Sequence, residues 1–304
     1  MLRSFFSYIR FFIFWLLFFA LTRAVFEVYF IDKLEGVSFT EILKTFIYGI
    51  RMDASATAYM AVIPLLVFIV NWFIGNKPIK SIWLKAYTWF CIFFVSFIAI
   101  IDMGIFIEWG AKVNFRAFDT LYNSPSESMS STASSPIALN VTIGIGLLLA
   151  GFILSNFIID YSFIKPKETR ANKLIYSVLL FGFNFILLRG TLFATPINQS
   201  AGYFSDKQIL DLAAQNTEWN LANNIFENLR HPYNPYLFMP AVEAKKITDD
   251  AFTVKKDTTI GVLTTNRPNI VIIQLESFTA DVIESLGGEK GDAPNFEKFI
   301  KNDI

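Results

Sequence analysis

Long apolar stretches separated by short polar ones fill the first two thirds of the chain, and the last third is mixed. Five stretches are long enough to span a bilayer: residues 11–31, 54–74, 86–107, 137–159 and 174–193. At ~1.5 Å per residue each reaches about 30 Å, the thickness of a hydrocarbon core. Backbone groups in lipid must pair within their own segment, so the stretches predict helices. The first has the basic start of a secretory signal, Arg3 and Arg10. Arg23, however, interrupts its only small-residue site, Thr22–Ala24, and the apolar run resumes to Ile31. That is too long for a signal h-region and predicts an uncleaved signal anchor.

The polar connections orient the spans. Arg3 and Arg10 precede the first, Lys77, Lys80 and Lys85 follow the second, and Lys165, Lys167, Arg170 and Lys173 dominate the loop after the fourth. The other two connections mix acids and bases. Basic loops stay in the cytoplasm. Five spans with the N-terminus inside then put residues after about 193 on the outer side of the membrane.

Composition fits this pattern. Of 304 residues, 54% are hydrophobic and 17% charged, 34 are Phe, and mean hydropathy is +0.45. Such a chain is not disordered. Lys+Arg and Asp+Glu both number 26, so no basic field draws it to nucleic acid. The single cysteine, Cys91, excludes a disulfide framework, and the single histidine, His231, excludes a His-rich centre.

Some positions in and around the spans are unusual. Arg51 and Asp53 sit at the start of the second span, Asp102 late in the third, and Arg189 near the end of the fifth. Such charges either snorkel to the interface or form a paired cluster there, with Arg51–Asp102 and Arg189–Asp53 as possible pairs. Ser38 and Glu41 have capping-box spacing, so the second helix should start early, as an interfacial segment. Trp72, Trp83, Trp89 and Trp109 fall where an aromatic belt would lie. The Ser-rich residues 123–136 read as an exposed connection.

Beyond the spans, residues 203–229 have helical apolar spacing broken at Asn216 and Thr217. They predict two short amphipathic helices that lie on the membrane or pack on their own domain. Residues 231–236 form a turn-rich break, and 241–265 read as a polar linker. The apolar run Ile270–Leu275, between Pro268 and Glu276, predicts a strand buried on both faces of a parallel sheet. Gly287 and Gly288 make a loop, and Pro294 opens a helix to Lys301. Glu276 then sits at the carboxyl end of the strand, where α/β sheets place working groups and where a carboxylate can hold a divalent cation.

The five spans, the linker helices, and the segments Pro-Asn-Ile-Val-Ile-Ile-Gln-Leu-Glu-Ser-Phe (268–278) and Gly-Gly-Glu-Lys-Gly-Asp-Ala-Pro-Asn-Phe (287–296) together resemble one family. It is that of the lipoteichoic-acid-synthase-like phosphoglycerol transferases of the alkaline phosphatase/sulfatase superfamily. The fold class implied is a polytopic α-helical membrane protein with five transmembrane helices, followed by the first β-α unit of an α/β sulfatase-like extracellular domain. Its parts are a membrane domain (1–193), an extracellular helical linker (194–265) and the start of a catalytic domain (266–304).

The resemblance implies that Glu276 is a ligand of a catalytic Mn²⁺, or of another divalent cation such as Mg²⁺ or Zn²⁺. It implies a phospholipid donor such as phosphatidylglycerol, from which a threonine takes the phosphoglyceryl group and passes it to a cell-envelope acceptor. That threonine and the remaining Asp and His ligands are expected beyond Ile304, and Thr279 is not in the nucleophile's place. The chain as given is therefore expected to be a truncated, inactive form. Phosphoethanolamine transferases, whose strand ends in Glu-Thr, are the nearer alternative. Sulfatases fit less well, since they use a Cys-x-Pro-x-Arg motif and Cys91 lies in the third span. A membrane module that binds lipid or a partner without catalysis is the non-enzymatic alternative.

Overall fold

The structure is a computed structural model. It describes residues 2–73, 79–126, 128, 135–161, 168–230, 237–253, 267, 269, 271–276 and 278–302. In chain order the helices are α1 (Leu2–Tyr29), α2 (Phe39–Phe73), α3 (Ser81–Trp109), α4 (Phe115–Asn123), α5 (Ile137–Ile158), α6 (Arg170–Arg189), α7 (Gln208–Ala214), α8 (Thr217–Arg230), α9 (Ala241–Ala251) and α10 (Pro294–Asn302). Five of them, α1, α2, α3, α5 and α6, are long and apolar enough to cross a membrane. The chain is thus a multi-pass helical membrane protein. It forms two units, Met1–Tyr233 and Asn234–Ile304.

In the first unit α1 is central, with α2, α3 and α5 packed around it, and α6 packs on α2. Phe11, Phe14, Trp15, Phe18 and Phe19 of α1 are fully enclosed. Trp15 meets Phe14 edge-on at 5.1 Å between centroids, a favoured aromatic geometry. The buried face of α5 is Asn140, Gly144, Leu147, Gly151 and Ser155, mostly small residues. A Cβ on Gly151 would stand 2.6 Å from Ile92 and 2.9 Å from Phe18. Small residues let membrane helices approach closely, which lipid exclusion alone does not drive.

Pro64 lies inside α2 and has no N–H for the carbonyl of Met60, four residues back. The Tyr87 hydroxyl of α3 donates to that carbonyl at 2.7 Å. Tyr8 donates to Asn184, whose amide donates to the carbonyl of Ala58 at 3.2 Å, joining α1, α2 and α6. Near the end of α5 Arg10 donates to the carbonyls of Phe157 and Ile158, and near the start of α6 Lys173 donates to the carbonyl of Trp72.

The second helix starts at Phe39, earlier than the apolar run, because Ser38 and Glu41 form the capping box: the Ser38 N–H and hydroxyl donate to the Glu41 carboxylate at 3.0 and 2.8 Å. Trp72 departs from the expected aromatic belt and is buried, whereas Trp83 and Trp109 are exposed. The two short helices after the last span also depart from expectation. They pack on α1, α2 and α3, at one end of the bundle called the mouth below, rather than on a separate domain.

In the second unit the stretch read as a linker is helical from Ala241 to Ala251, as α9, with no residue of α9 buried, and its residues 254–265 lie outside the described residues. Residues 271–275 form no strand, and Val271, Ile272 and Ile273 are each more than three-quarters exposed. Among the described residues no second strand offers the ladder that an isolated strand requires. The Gly287–Gly288 turn and α10 do form. A Cβ on Gly288 would stand 2.4 Å from the carbonyl oxygens of Ala280 and Asp281, so the turn needs glycine. Glu297 of α10 accepts from the Ser285 N–H at 2.9 Å and its hydroxyl at 3.0 Å, and Phe296 meets Phe278 edge-on. His231, the 231–236 break, and half of the 123–136 connection lie outside the described residues.

Candidate functional site

The charged residues of the mouth are brought together, but in other pairs than the sequence suggested. Asp53 is held by Arg23 of α1, at 2.8 and 2.9 Å through both guanidinium Nη atoms. Both side chains are buried. Arg23 Nε and Nη2 go on to the carbonyls of Ala213 and Ala214 at 2.9 and 3.3 Å, which are the last carbonyls of α7. Arg23 therefore caps α7 as a cation at a helix C-terminus should. Asp102 of α3 is paired with Lys112 at 2.8 Å and also accepts from the Val113 N–H at 2.8 Å. Lys112 stands 3.9 Å over the ring of Phe26.

Arg51 and Arg189 take no part in these pairs. Residues 51 and 53 are about 200° apart around a helix, so both cannot face the core. Arg51 is exposed and donates to the carbonyl of Gly190 at 3.3 Å. Arg189 donates to the carbonyls of Thr191 and Ala194.

Between α7 and α8 the elbow Gln215–Asn216–Thr217 plugs the mouth. The Asn216 side chain caps α8 by accepting from the Trp219 N–H at 2.9 Å, and its amide donates to Asp53 at 3.0 Å. The Thr217 hydroxyl donates to Asp102 at 3.2 Å and lies 3.0 Å from Lys112 Nζ. Trp219 is buried and donates through its indole N–H to Ser55 at 3.1 Å. The elbow approaches α2 at Gly49, where a Cβ would stand 2.6 Å from the carbonyl oxygen of Ala214.

These groups enclose a cavity of about 20 Å³, lined by Arg23, Asp53, Asp102, Lys112, Asn216 and Glu218 among others. It has room for about one water. The Arg23 guanidinium makes four hydrogen bonds to protein partners, and Lys112 has two polar partners and an aromatic ring. Engaged in this way, the two cations do not form a clamp for an external phosphate. Glu27 of α1 is buried nearby and accepts from the Thr45 hydroxyl of α2.

Arg23, Lys112 and Glu218 were not singled out as site residues from sequence. For Arg23 the signal is depth: it lies about two turns inside the mouth-side end of α1, where an intramembrane charge calls for a partner, whereas nothing local marks Lys112 or Glu218. Glu276, the predicted metal ligand, is exposed. Among the described residues no three His, Cys, Asp or Glu side chains come together as a metal site requires. These residues alone therefore do not fit a divalent cation.

The chain matches no protein-family model, no curated protein and no solved structure.

Proposed function

We propose that the chain supplies the membrane anchor, the linker and the opening segment of the catalytic domain of a transferase that moves phosphoglycerol, or a related phospho-headgroup, from a phospholipid to a cell-envelope acceptor. One observation carries the reading: the run Pro-Asn-Ile-Val-Ile-Ile-Gln-Leu-Glu-Ser-Phe at 268–278 follows five membrane-crossing helices in the same chain. The basic end of the bundle, with Arg10, Lys85 and Lys173, supports a cytoplasmic N-terminus. The mouth and its docked helices are then extracytoplasmic. An anchor of this kind suits a lipid donor, because it keeps the reacting domain within reach of headgroups and makes their encounter effectively intramolecular. Glu276 is the proposed ligand of a divalent cation; among the described residues no full set of ligands gathers around it.

Reading the coding DNA past the codon for Ile304 tests the proposal. An open frame bearing a threonine nucleophile and later Asp and His residues is expected, and the protein so encoded should release diacylglycerol from phosphatidylglycerol. A stop at that point, or no turnover by the encoded protein, overturns the transferase in favour of a membrane module that binds lipid or a partner.

A further inference from the structure

The charges lining the mouth do not balance. Arg23 is matched by Asp53 and Lys112 by Asp102, each in a buried pair. Glu218, the fifth ionisable group on the cavity wall, has no cation of its own. Its Oε1 is closed off from solvent and meets no donor. Glu27, buried close to the same pairs, adds a further carboxyl. An ionised carboxylate with a bare oxygen and no counter-charge is among the costliest groups to bury, whereas the neutral acid is far less so.

The groups that face Glu218 come from every element packed around it: Asp102 of α3, Lys112 after α3, Asp53 of α2 and Arg23 of α1. Burial pushes the Glu218 carboxyl up to about 8, and the charges of Asp102 and Asp53 add to this. Its own backbone N–H and Lys112 oppose the shift without cancelling it. Glu218 is the second residue of α8 and directly follows the elbow residues Asn216 and Thr217, which bond to Asp53 and Asp102. Its protonation state therefore acts on the segment that joins the spans to the linker.

We propose that Glu218 is a proton-binding site that governs docking of the α7–α8 elbow: the elbow seats in the mouth with Glu218 as the neutral acid and loosens when the proton leaves to solvent. This does not depend on the transferase reading. The sign follows from linkage. Out of the mouth a glutamate titrates at about 4.3. Above that pH only the docked form holds the proton, so docking weakens about tenfold per pH unit and levels off once the docked group also ionises.

Hydrogen exchange of the full chain in lipid nanodiscs tests it, read on peptides covering 208–222 and corrected for intrinsic exchange at each pH. In the wild type, protection should fall by up to about 100-fold between pH 6 and 8 and then level off. The isosteric, always neutral Glu218→Gln should be as protected at pH 6 as the wild type and stay so to pH 9. A flat wild-type profile overturns the proposal. So does a Glu218→Gln profile with the wild-type slope, or one unprotected at pH 6 while α3 stays protected. If α3 also loses protection, the variant has not folded and the wild-type profile decides alone.

Discussion

Arg23 and Asp53, thirty residues apart in the chain, meet through two parallel hydrogen bonds of 2.8 and 2.9 Å inside a membrane bundle. The same guanidinium caps α7 and the same carboxylate holds the elbow through Asn216, so one ion pair ties two spans to the segment that follows them.

Asp53→Ala leaves Arg23 buried and unpaired, and the bundle should lose about 3–5 kcal/mol. Replacing both residues, as Arg23→Met with Asp53→Leu, should recover most of that loss in the bundle. It should not restore exchange protection at residues 208–222, because the cap on α7 is gone. Unfolding in mixed micelles, paired with hydrogen exchange, separates the two effects.

Gly49→Ala places a methyl 2.4 Å from Arg23 Nη2 and 2.6 Å from the carbonyl oxygen of Ala214. Arg23 is pinned by its partners and cannot yield, so the elbow must. A cost of about 1–3 kcal/mol is expected, as for other overpacked sites. Loss of exchange protection should be concentrated in α7 and the elbow rather than spread over the spans.

Tyr87→Phe removes the donor to the Met60 carbonyl, which Pro64 leaves without its helical partner. Thermal unfolding should show a loss of about 1 kcal/mol, within the range of membrane hydrogen bonds. Adding Pro64→Ala restores an N–H four residues on, so the double variant should be more stable than Tyr87→Phe alone. A double variant no better than the single one would show that the carbonyl does not set the cost.

Glu276→Gln changes an exposed side chain. Stability of this chain should move by less than about 0.5 kcal/mol. In the complete transferase that the reading implies, the same change should abolish divalent-cation binding, measured by manganese titration, together with turnover. Retained binding would remove Glu276 from the site.

The spans were legible because apolar length alone decides what can cross a bilayer, and the early start of α2 was legible because Ser38 and Glu41 carry a local capping signal. Pairing at the mouth was not. Asp53 takes Arg23 rather than Arg189 because of how the helices are rotated, and rotation is set here by small residues such as Gly49 and Gly151, which hydropathy does not register. The run at 271–275 has strand composition, but a strand is a property of a ladder, and the described residues contain no second strand to pair with it. The α7 and α8 helices were readable from their periodicity. Their resting place was not, because it rests on carbonyls and an asparagine, and those groups have no periodicity.

The acceptors of Arg23 on α7 lie 190 and 191 positions after it. At about 5–20 residues per second of synthesis, roughly 10–40 seconds pass before they exist. For that interval Asp53, only 30 positions on, is the partner available. A lone arginine or aspartate opposes insertion by up to about 2.5–3.5 kcal/mol, the figure for the centre of a span, and a hydrogen-bonded pair less. The order in which the ribosome delivers these residues therefore sets the order of assembly. The first two spans should enter with Arg23 and Asp53 already paired, and the elbow should close over that pair last.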